Sequence, residues 1–400
     1  MKIAVYHNLG SGGAKKALFY IVKGLHSKGH VLDVYTTSLA DHDFYDLKPH
    51  VNIYHIEKVP FSTNESGNGL FGILRKKRNL KLTEGRIAEI INGKNYDAAF
   101  VANCRYFQHP NILRLLKTTT LLYSQEILRG FYDIKILDRL YRQFDPPKKS
   151  LLSPLSSIVG NWLSNYWAKI DKNNISAISE DNILVNSYFS RESFVKAYGV
   201  SPRVCYLGTE RESKPMDWSA RGNYVLSIGG FEPHKGHDWV IRSLARIEAA
   251  IRPELVIIGD RGSEKYMAEL QRLAQVSGVQ LNIERSIDDL RVKDYYRKAK
   301  LTICASWLEP FGFAPIESQA CGTPVVAVRE GGLRETVVDG IGGITCDREV
   351  EQLASAITRL LKDSKLWQSF SISGAKFVAE RFSWEKTVNR IESALIKIAR

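Results

Sequence analysis

Short apolar runs rich in Val, Ile and Leu alternate along this chain with stretches of helical periodicity, and near the middle the series begins again. Parallel strands need long crossovers, which helices supply, so the alternation predicts parallel sheets covered by helices. Ile3 to His7 reads as a first buried strand and Gly10-Ser11-Gly12-Gly13 as a turn. Ala14 to Lys28 reads as a helix with its apolar stripe at Ala17, Leu18, Ile21, Val22 and Leu25. Gly29 ends that helix, and strands at Val31 to Tyr35, Ala98 to Ala102 and Thr120 to Tyr123 continue the sheet. The second series has strands at Tyr224 to Ile228, Leu255 to Ile258, Leu301 to Cys304 and Pro324 to Val328, with a helix at Trp239 to Ile247. The expected fold class is α/β with two Rossmann-like domains, 1–207 and 208–383, joined in the polar stretch Leu207 to Asn223. A last helix, within 384–400, lies outside both series and is expected to pack back on the first domain. A length of 400 residues also exceeds what one core ordinarily organises.

No run of 18 apolar residues occurs, so no bilayer-spanning helix is expected. Met1 to Tyr6 meets His7 and Asn8 too soon for a secretory leader. The five cysteines, Cys104, Cys205, Cys304, Cys321 and Cys346, are scattered and form no C-x-x-C pair. That points away from a disulfide framework or zinc site and towards a reducing cytoplasm. The formal charge of +13 calls for an anionic partner. Its densest cluster is Arg75-Lys76-Lys77-Arg78, with Lys81 beyond and Leu70-Phe71-Gly72-Ile73-Leu74 before it. An apolar run joined to a basic run suits a segment lying on an anionic membrane surface. A solvated helix face beside the polar loop Ser62 to Asn68 fits the same residues. No RNA-binding aromatic motif or zinc-finger spacing is present, so nucleic acid is not an expected partner.

In open parallel sheets ligands sit beyond the carboxyl ends of the strands, where loops meet helix N-termini. There the sequence places Glu309-Pro310-Phe311-Gly312-Phe313-Ala314-Pro315-Ile316-Glu317. Pro315 suits the first position of a helix, Gly312 lets a ligand approach the backbone, and the free amides of the helix start suit phosphate. Glu309 before the helix and Glu317 in its first turn can both accept hydrogen bonds from sugar hydroxyls. Chance spacing and helix capping are the plain alternative for two Glu eight residues apart.

With these residues in view, the chain resembles the retaining GT-B glycosyltransferases of family 4, the group 1 glycosyl transferases. Gly229-Gly230-Phe231-Glu232-Pro233-His234-Lys235-Gly236 is similar to that family's Gly-Arg-Leu-x-x-x-Lys-Gly loop. Val256-Ile257-Ile258-Gly259-Asp260, Cys321 to Ala327 and Gly331-Gly332-Leu333-Arg334-Glu335 are similar to its later segments. Gly12-Gly13-Ala14, Gly29-His30, Val185 to Ser190 and Tyr198-Gly199-Val200 are similar to pieces of its first domain. The resemblance implies the GT-B architecture, two Rossmann-like domains facing across a cleft, and transfer of a sugar from a UDP- or GDP-linked donor to a hydroxyl with retention. Glu309 would meet the transferred sugar, Glu317 the ribose, and the backbone at Gly312 and Phe313 sugar and phosphate. Lys235 would neutralise the departing diphosphate, with Gly12-Gly13 facing it from the other domain. The base would lie at Glu284 to Ser286, and Gln125 and Glu126 would touch acceptor or sugar. No cofactor or metal is implied, since the nucleotide sugar is a co-substrate; the acceptor would be a glycan, a lipid-linked molecule or a small molecule.

Two positions depart from the family pattern. Gly230 stands where the family has Arg, and Tyr123-Ser124-Gln125-Glu126 replaces Tyr-x-His-Glu. Gln125 can hydrogen-bond a hydroxyl but cannot carry a proton. Arg261 or Lys15 could supply the missing charge. A glycosyltransferase-like binding protein without catalysis is the alternative these departures favour. Other motifs fail on their own terms. The third position of a Gly10-x-Gly12 dinucleotide fingerprint is Lys15. Asp41-His42-Asp43 lacks the context of a metal-binding Asp-x-Asp, and His234 and His237 read as polar loop residues.

Overall fold

The computed structural model describes residues 1–60, 70–144, 153–210 and 216–399; the loop Ser62 to Asn68 and part of the expected join lie outside them. Two parallel sheets organise the chain. The first contains β1 (Lys2–Asn8), β2 (Val31–Thr37), β3 (Ile53–Glu57), β4 (Ala98–Cys104), β5 (Thr120–Ser124), β6 (Ile183–Val185) and β7 (Arg203–Val204) in the order β3-β2-β1-β4-β5-β6-β7. The second contains β8 (Tyr224–Ile228), β9 (Glu254–Ile258), β10 (Leu281–Glu284), β11 (Leu301–Cys304), β12 (Val325–Val328) and β13 (Gly343–Cys346) in the order β10-β9-β8-β11-β12-β13. Each sheet therefore reverses direction once, between β1 and β4 and between β8 and β11, which is the doubly wound order with its switch point. Strands at the centre are buried on both faces, as β4 is along its whole length, which explains their mainly apolar sequences.

Two compact units hold these sheets, one of Met1–Tyr132, Lys149–Gly208 and Trp384–Arg400, the other of Asp133–Lys148 and Thr209–Ser383. The excursion 133–148 into the second unit has no counterpart in the sequence reading. It is explained by packing, because Phe144 meets the ring of Tyr266 at 4.8 Å and the Tyr141 hydroxyl donates to Glu232 Oε2 at 2.8 Å. The second core is built from β-branched and Leu residues such as Val225, Ile241, Leu255, Ile303 and Val326, with Trp367 buried against them. All five cysteines are buried free thiols.

Helix Gly13–Ser27 buries Ala17, Leu18, Ile21, Val22 and Leu25. The final helix, Trp384–Ala399, lies against it: Trp384 stacks on Tyr20 at 4.6 Å, and Lys28 and His30 both meet Glu392, at 2.7 and 2.9 Å. The approach is close enough that a Cβ on Gly24 would fall 2.4 Å from Val388 Cγ2. Gly24→Ala should therefore destabilise the first unit by about 1–3 kcal/mol through overpacking. In a Val388→Ala background the same change should cost far less, since the two positions share one contact. Equal costs in both backgrounds, measured by denaturant unfolding, would show that the helices do not meet here.

Candidate functional site

The second switch point brings two loops together. The loop after β8 forms a short 3-10 turn at Pro233–Lys235, and Gly236 follows with φ +71. A Cβ on Gly236 would lie 2.1 Å from the Ala305 carbonyl oxygen, so only glycine lets this loop rest on the one after β11. Trp307 N donates to His234 O at 2.7 Å and completes the junction. Lys235 Nζ then reaches Glu309 Oε2 at 2.9 Å, with both side chains partly exposed. Two of the sequence candidates are thus joined in one ion pair, 74 residues apart in the chain.

Glu309 is held from three further directions. Leu308 before it is left-handed, with φ +46, an uncommon conformation for a branched residue. Gly332 N donates to Glu309 O at 2.6 Å, and a Cβ on Gly331, at φ +55, would fall 2.6 Å from that oxygen. Arg348 donates to the carbonyls of Ala305 and Ser306 at 2.7 and 2.9 Å, pairs with Glu330 at 2.8 Å, and lies 3.8 Å over the Trp307 ring. The geometry so fixed ends at Gly312, which caps helix Phe313–Ala320 with φ +99. That helix begins two residues before Pro315, so Pro315 sits within its first turn, where a missing N–H still costs nothing. Glu317 accordingly falls in the second turn rather than the first. It accepts a hydrogen bond from the Tyr296 hydroxyl at 3.2 Å.

The remaining candidates of this unit gather at the ends of β9 and β10. Ser286 is left-handed, at φ +52, and its N–H donates to Asp260 Oδ1 at 2.9 Å. Glu284 accepts from the Tyr295 hydroxyl at 2.6 Å. Arg261 is exposed, and its carbonyl accepts from Phe231 N at 2.6 Å and lies 3.0 Å from where a Cβ on Gly230 would be. Arg261 is thus the backbone neighbour of the position where the resembling family has Arg. His237 is buried, with Nδ1 2.8 Å from Ser227 Oγ and Nε2 3.3 Å from Gly229 O. Burial pushes its pKa down to about 4, so it is a neutral pin for the β8 loop and not a loop-lining group.

In the first unit the candidates meet at the matching switch point. Gln125 Nε2 donates to Ala14 O at 3.3 Å, beside Gly12 and Gly13, and Gln125 N donates to Asn103 Oδ1 at 2.9 Å. The Glu126 carbonyl accepts from Gln108 Nε2 at 3.0 Å and from Ser124 Oγ at 3.1 Å. Lys15 is a correction: its side chain is buried, 3.5 Å from His7 Nε2, and desolvation lowers its pKa to about 8, so it does not face a ligand. Asp41 Oδ1 accepts from Asp43 N and Phe44 N at 3.2 and 2.9 Å and so closes its own turn. In the basic cluster, Lys76 lies over Tyr106 at 4.7 Å and Lys77 over Trp167 at 3.9 Å. The sequence reading did not find Arg348, Tyr296 or Tyr141, which no local pattern marks.

Residues 209–377 match the family model of glycosyl transferases group 1. The chain is 35% identical over 234 residues to a D-inositol 3-phosphate glycosyltransferase of Acidothermus cellulolyticus, covering 53% of this chain and 52% of that protein. It is 31% identical over 167 residues to an uncharacterised glycosyltransferase of Methanocaldococcus jannaschii, covering 42% of this chain and 46% of that protein. The chain thus spans about half the length of the curated relatives it matches. Anabaena HepE in complex with UDP-glucose has a similar fold, with a TM-score of 0.73 at 19% identity over 99% of this chain and 100% of that one. The two parallel sheets and the solved structures give the chain the GT-B fold, and its residues 209–377 match the group 1 glycosyl transferases.

Proposed function

We propose that the protein is a retaining, metal-independent glycosyltransferase that moves a sugar from a nucleoside-diphosphate sugar to a hydroxyl of a glycan, lipid-linked or small-molecule acceptor, in surface polysaccharide or glycoconjugate biosynthesis. The observation that carries this reading is the Lys235–Glu309 pair at the switch point, with Glu309 just before the Gly312-capped start of helix Phe313–Ala320. Breaking an anomeric bond develops positive charge on the sugar and negative charge on the leaving diphosphate. A lysine and helix amides meet the second charge, and Glu309 orients the sugar beside the first. With a lysine and amides in that role, no metal or other cofactor is needed. The acceptor attacks from the face the diphosphate leaves, and the diphosphate takes its proton. Glu317 holds the ribose, Glu284 and Ser286 lie at the base, and Gln125 and Glu126 contact acceptor or sugar. The HepE complex with UDP-glucose supports a UDP-linked donor. The basic helix Leu70–Asn92 brings the protein to an anionic membrane surface on the cytoplasmic side.

A second reading, a donor-binding protein with weakened catalysis, is favoured by Gly230 and by Gln125, which is buried and cannot carry a proton. The position of Arg261 beside Gly230 favours instead an active enzyme in which Arg261 supplies the second cation.

Among UDP, GDP and ADP, at least one should raise the thermal midpoint, by about 2.7 kcal/mol of stabilisation at a hundredfold excess over Kd. No shift with any of them or their sugars would remove the donor site from this chain. Lys235→Ala should slow transfer by roughly 10²–10³, Glu309→Ala should chiefly lower kcat, and Glu317→Ala should chiefly raise the donor KM. These effects should be the same in chelator; parent-like kinetics in all three variants place the chemistry elsewhere. Arg261→Ala should slow transfer by about tenfold or more, whereas Gly230→Arg, crowded by the Arg261 carbonyl, should give little gain. A silent Arg261→Ala with a strongly activating Gly230→Arg would establish the weakened-site reading.

A further inference from the structure

Trp162 and Tyr166 stand one turn apart on helix Ser153–Ile175, with ring planes within 6° and centroids 5.8 Å apart. They are nonetheless 65% and 46% exposed. A tryptophan so open to water is an unusual surface residue, and a neighbouring exposed ring makes an apolar patch. The pair is also held rigidly. Tyr166 meets Trp167 edge-on at 4.9 Å, Trp167 meets Phe107 at 5.9 Å, and Phe107 lies in a small core with Val59, Leu80 and Cys104. The exposed rings are therefore the outer end of a ladder rooted in the first unit.

Lys77, 3.9 Å above Trp167, ties this ladder to helix Leu70–Asn92. One turn to either side of Lys77 on the same stripe are Ile73, 47% exposed, and Lys81, also exposed. Lys169 is exposed three residues after Tyr166, on the face that carries the ring pair. The single carboxylate of helix Ser153–Ile175, Asp171, is buried and engaged by His109 and by the Tyr198 hydroxyl. The patch thus joins apolar rings to cations, with no exposed carboxylate on the helix that bears the rings.

We propose that Trp162 and Tyr166 form a membrane-interface anchor: the two rings enter the headgroup region of an anionic bilayer while Arg78, Lys81 and Lys169 meet lipid phosphates. Indole and phenol rings settle at this depth because one end is apolar and the other hydrogen-bonds. Cations add an attraction that salt weakens. This rests on the membrane attachment proposed above and names its apolar component.

The full chain is mixed with vesicles of phosphatidylcholine alone or with added phosphatidylglycerol, and tryptophan quenching by brominated acyl chains is read. The parent should bind and be quenched on the anionic vesicles, and added salt should weaken both. Trp162→Phe keeps a ring but removes one of seven tryptophans, so it should still bind while losing most of the quenching. Trp162→Ala with Tyr166→Ala should weaken partitioning by at least about tenfold, the scale of burying one such side chain. The nucleotide-induced thermal shift should stay as in the parent, which separates lost anchoring from misfolding. Undiminished anionic-vesicle binding by the double alanine variant overturns the anchor and leaves peripheral attachment standing through other residues. No binding by the parent overturns both. A lipid-free dimer that the same two changes abolish also overturns the anchor, because a second copy would then be the occupant.

Discussion

The contact of the β8 loop with the β11 loop is the constraint on which the candidate site rests. Gly236 lies against the Ala305 carbonyl, Trp307 N bonds to His234 O, and the ion pair between Lys235 and Glu309 closes above them. A doubly wound sheet separates consecutive loops at its switch point and leaves a crevice there. Here backbone contacts join the two loops, and the Lys235–Glu309 pair spans them. Arg348 and the Gly331-Gly332 turn then fix the loop from the β12 and β13 side. The strain at Leu308 is sustained because these neighbours determine the backbone on both sides of it.

The departures at Gly230 and Gln125 gain physical content from their surroundings. A Cβ on Gly230 would lie 3.0 Å from the Arg261 carbonyl oxygen, so a side chain there requires the backbone at Arg261 to give slightly. The two positions are therefore coupled through backbone, and a change at one cannot be judged without the other. Gln125 is fixed through its backbone N–H by Asn103, and its side-chain amide donates to Ala14 O at the start of helix Gly13–Ser27, an arrangement that uses the amide as a donor.

Much of this was legible in the sequence for definable reasons. Tyr224–Ile228 and Leu301–Cys304 were read to the residue because β-branched runs there are bounded by glycine or polar turns. The Glu309 and Lys235 segments were legible because their glycines and prolines mark backbone demands. Strands β6 and β7, of three and two residues, carry too little pattern to register alone. The excursion 133–148 depends on Phe144 and Tyr141 finding partners more than ninety residues away, which periodicity cannot report. Arg348 acts through backbone carbonyls and a ring face, so its role exists only once β13 lies beside β12. Lys15 shows the opposite limit: its place beside a glycine turn suggested a phosphate contact, and burial against His7 removed it.

Amide hydrogen exchange with and without UDP tests the central assignment most directly. The account predicts that UDP slows exchange in Gly229 to Gly236, in Glu309 to Glu317 and around Glu284 to Ser286, while the turn at Asp41 to Asp43 is unchanged. Protection absent from the first two segments at saturating UDP, or centred on Asp41 to Asp43, would contradict it.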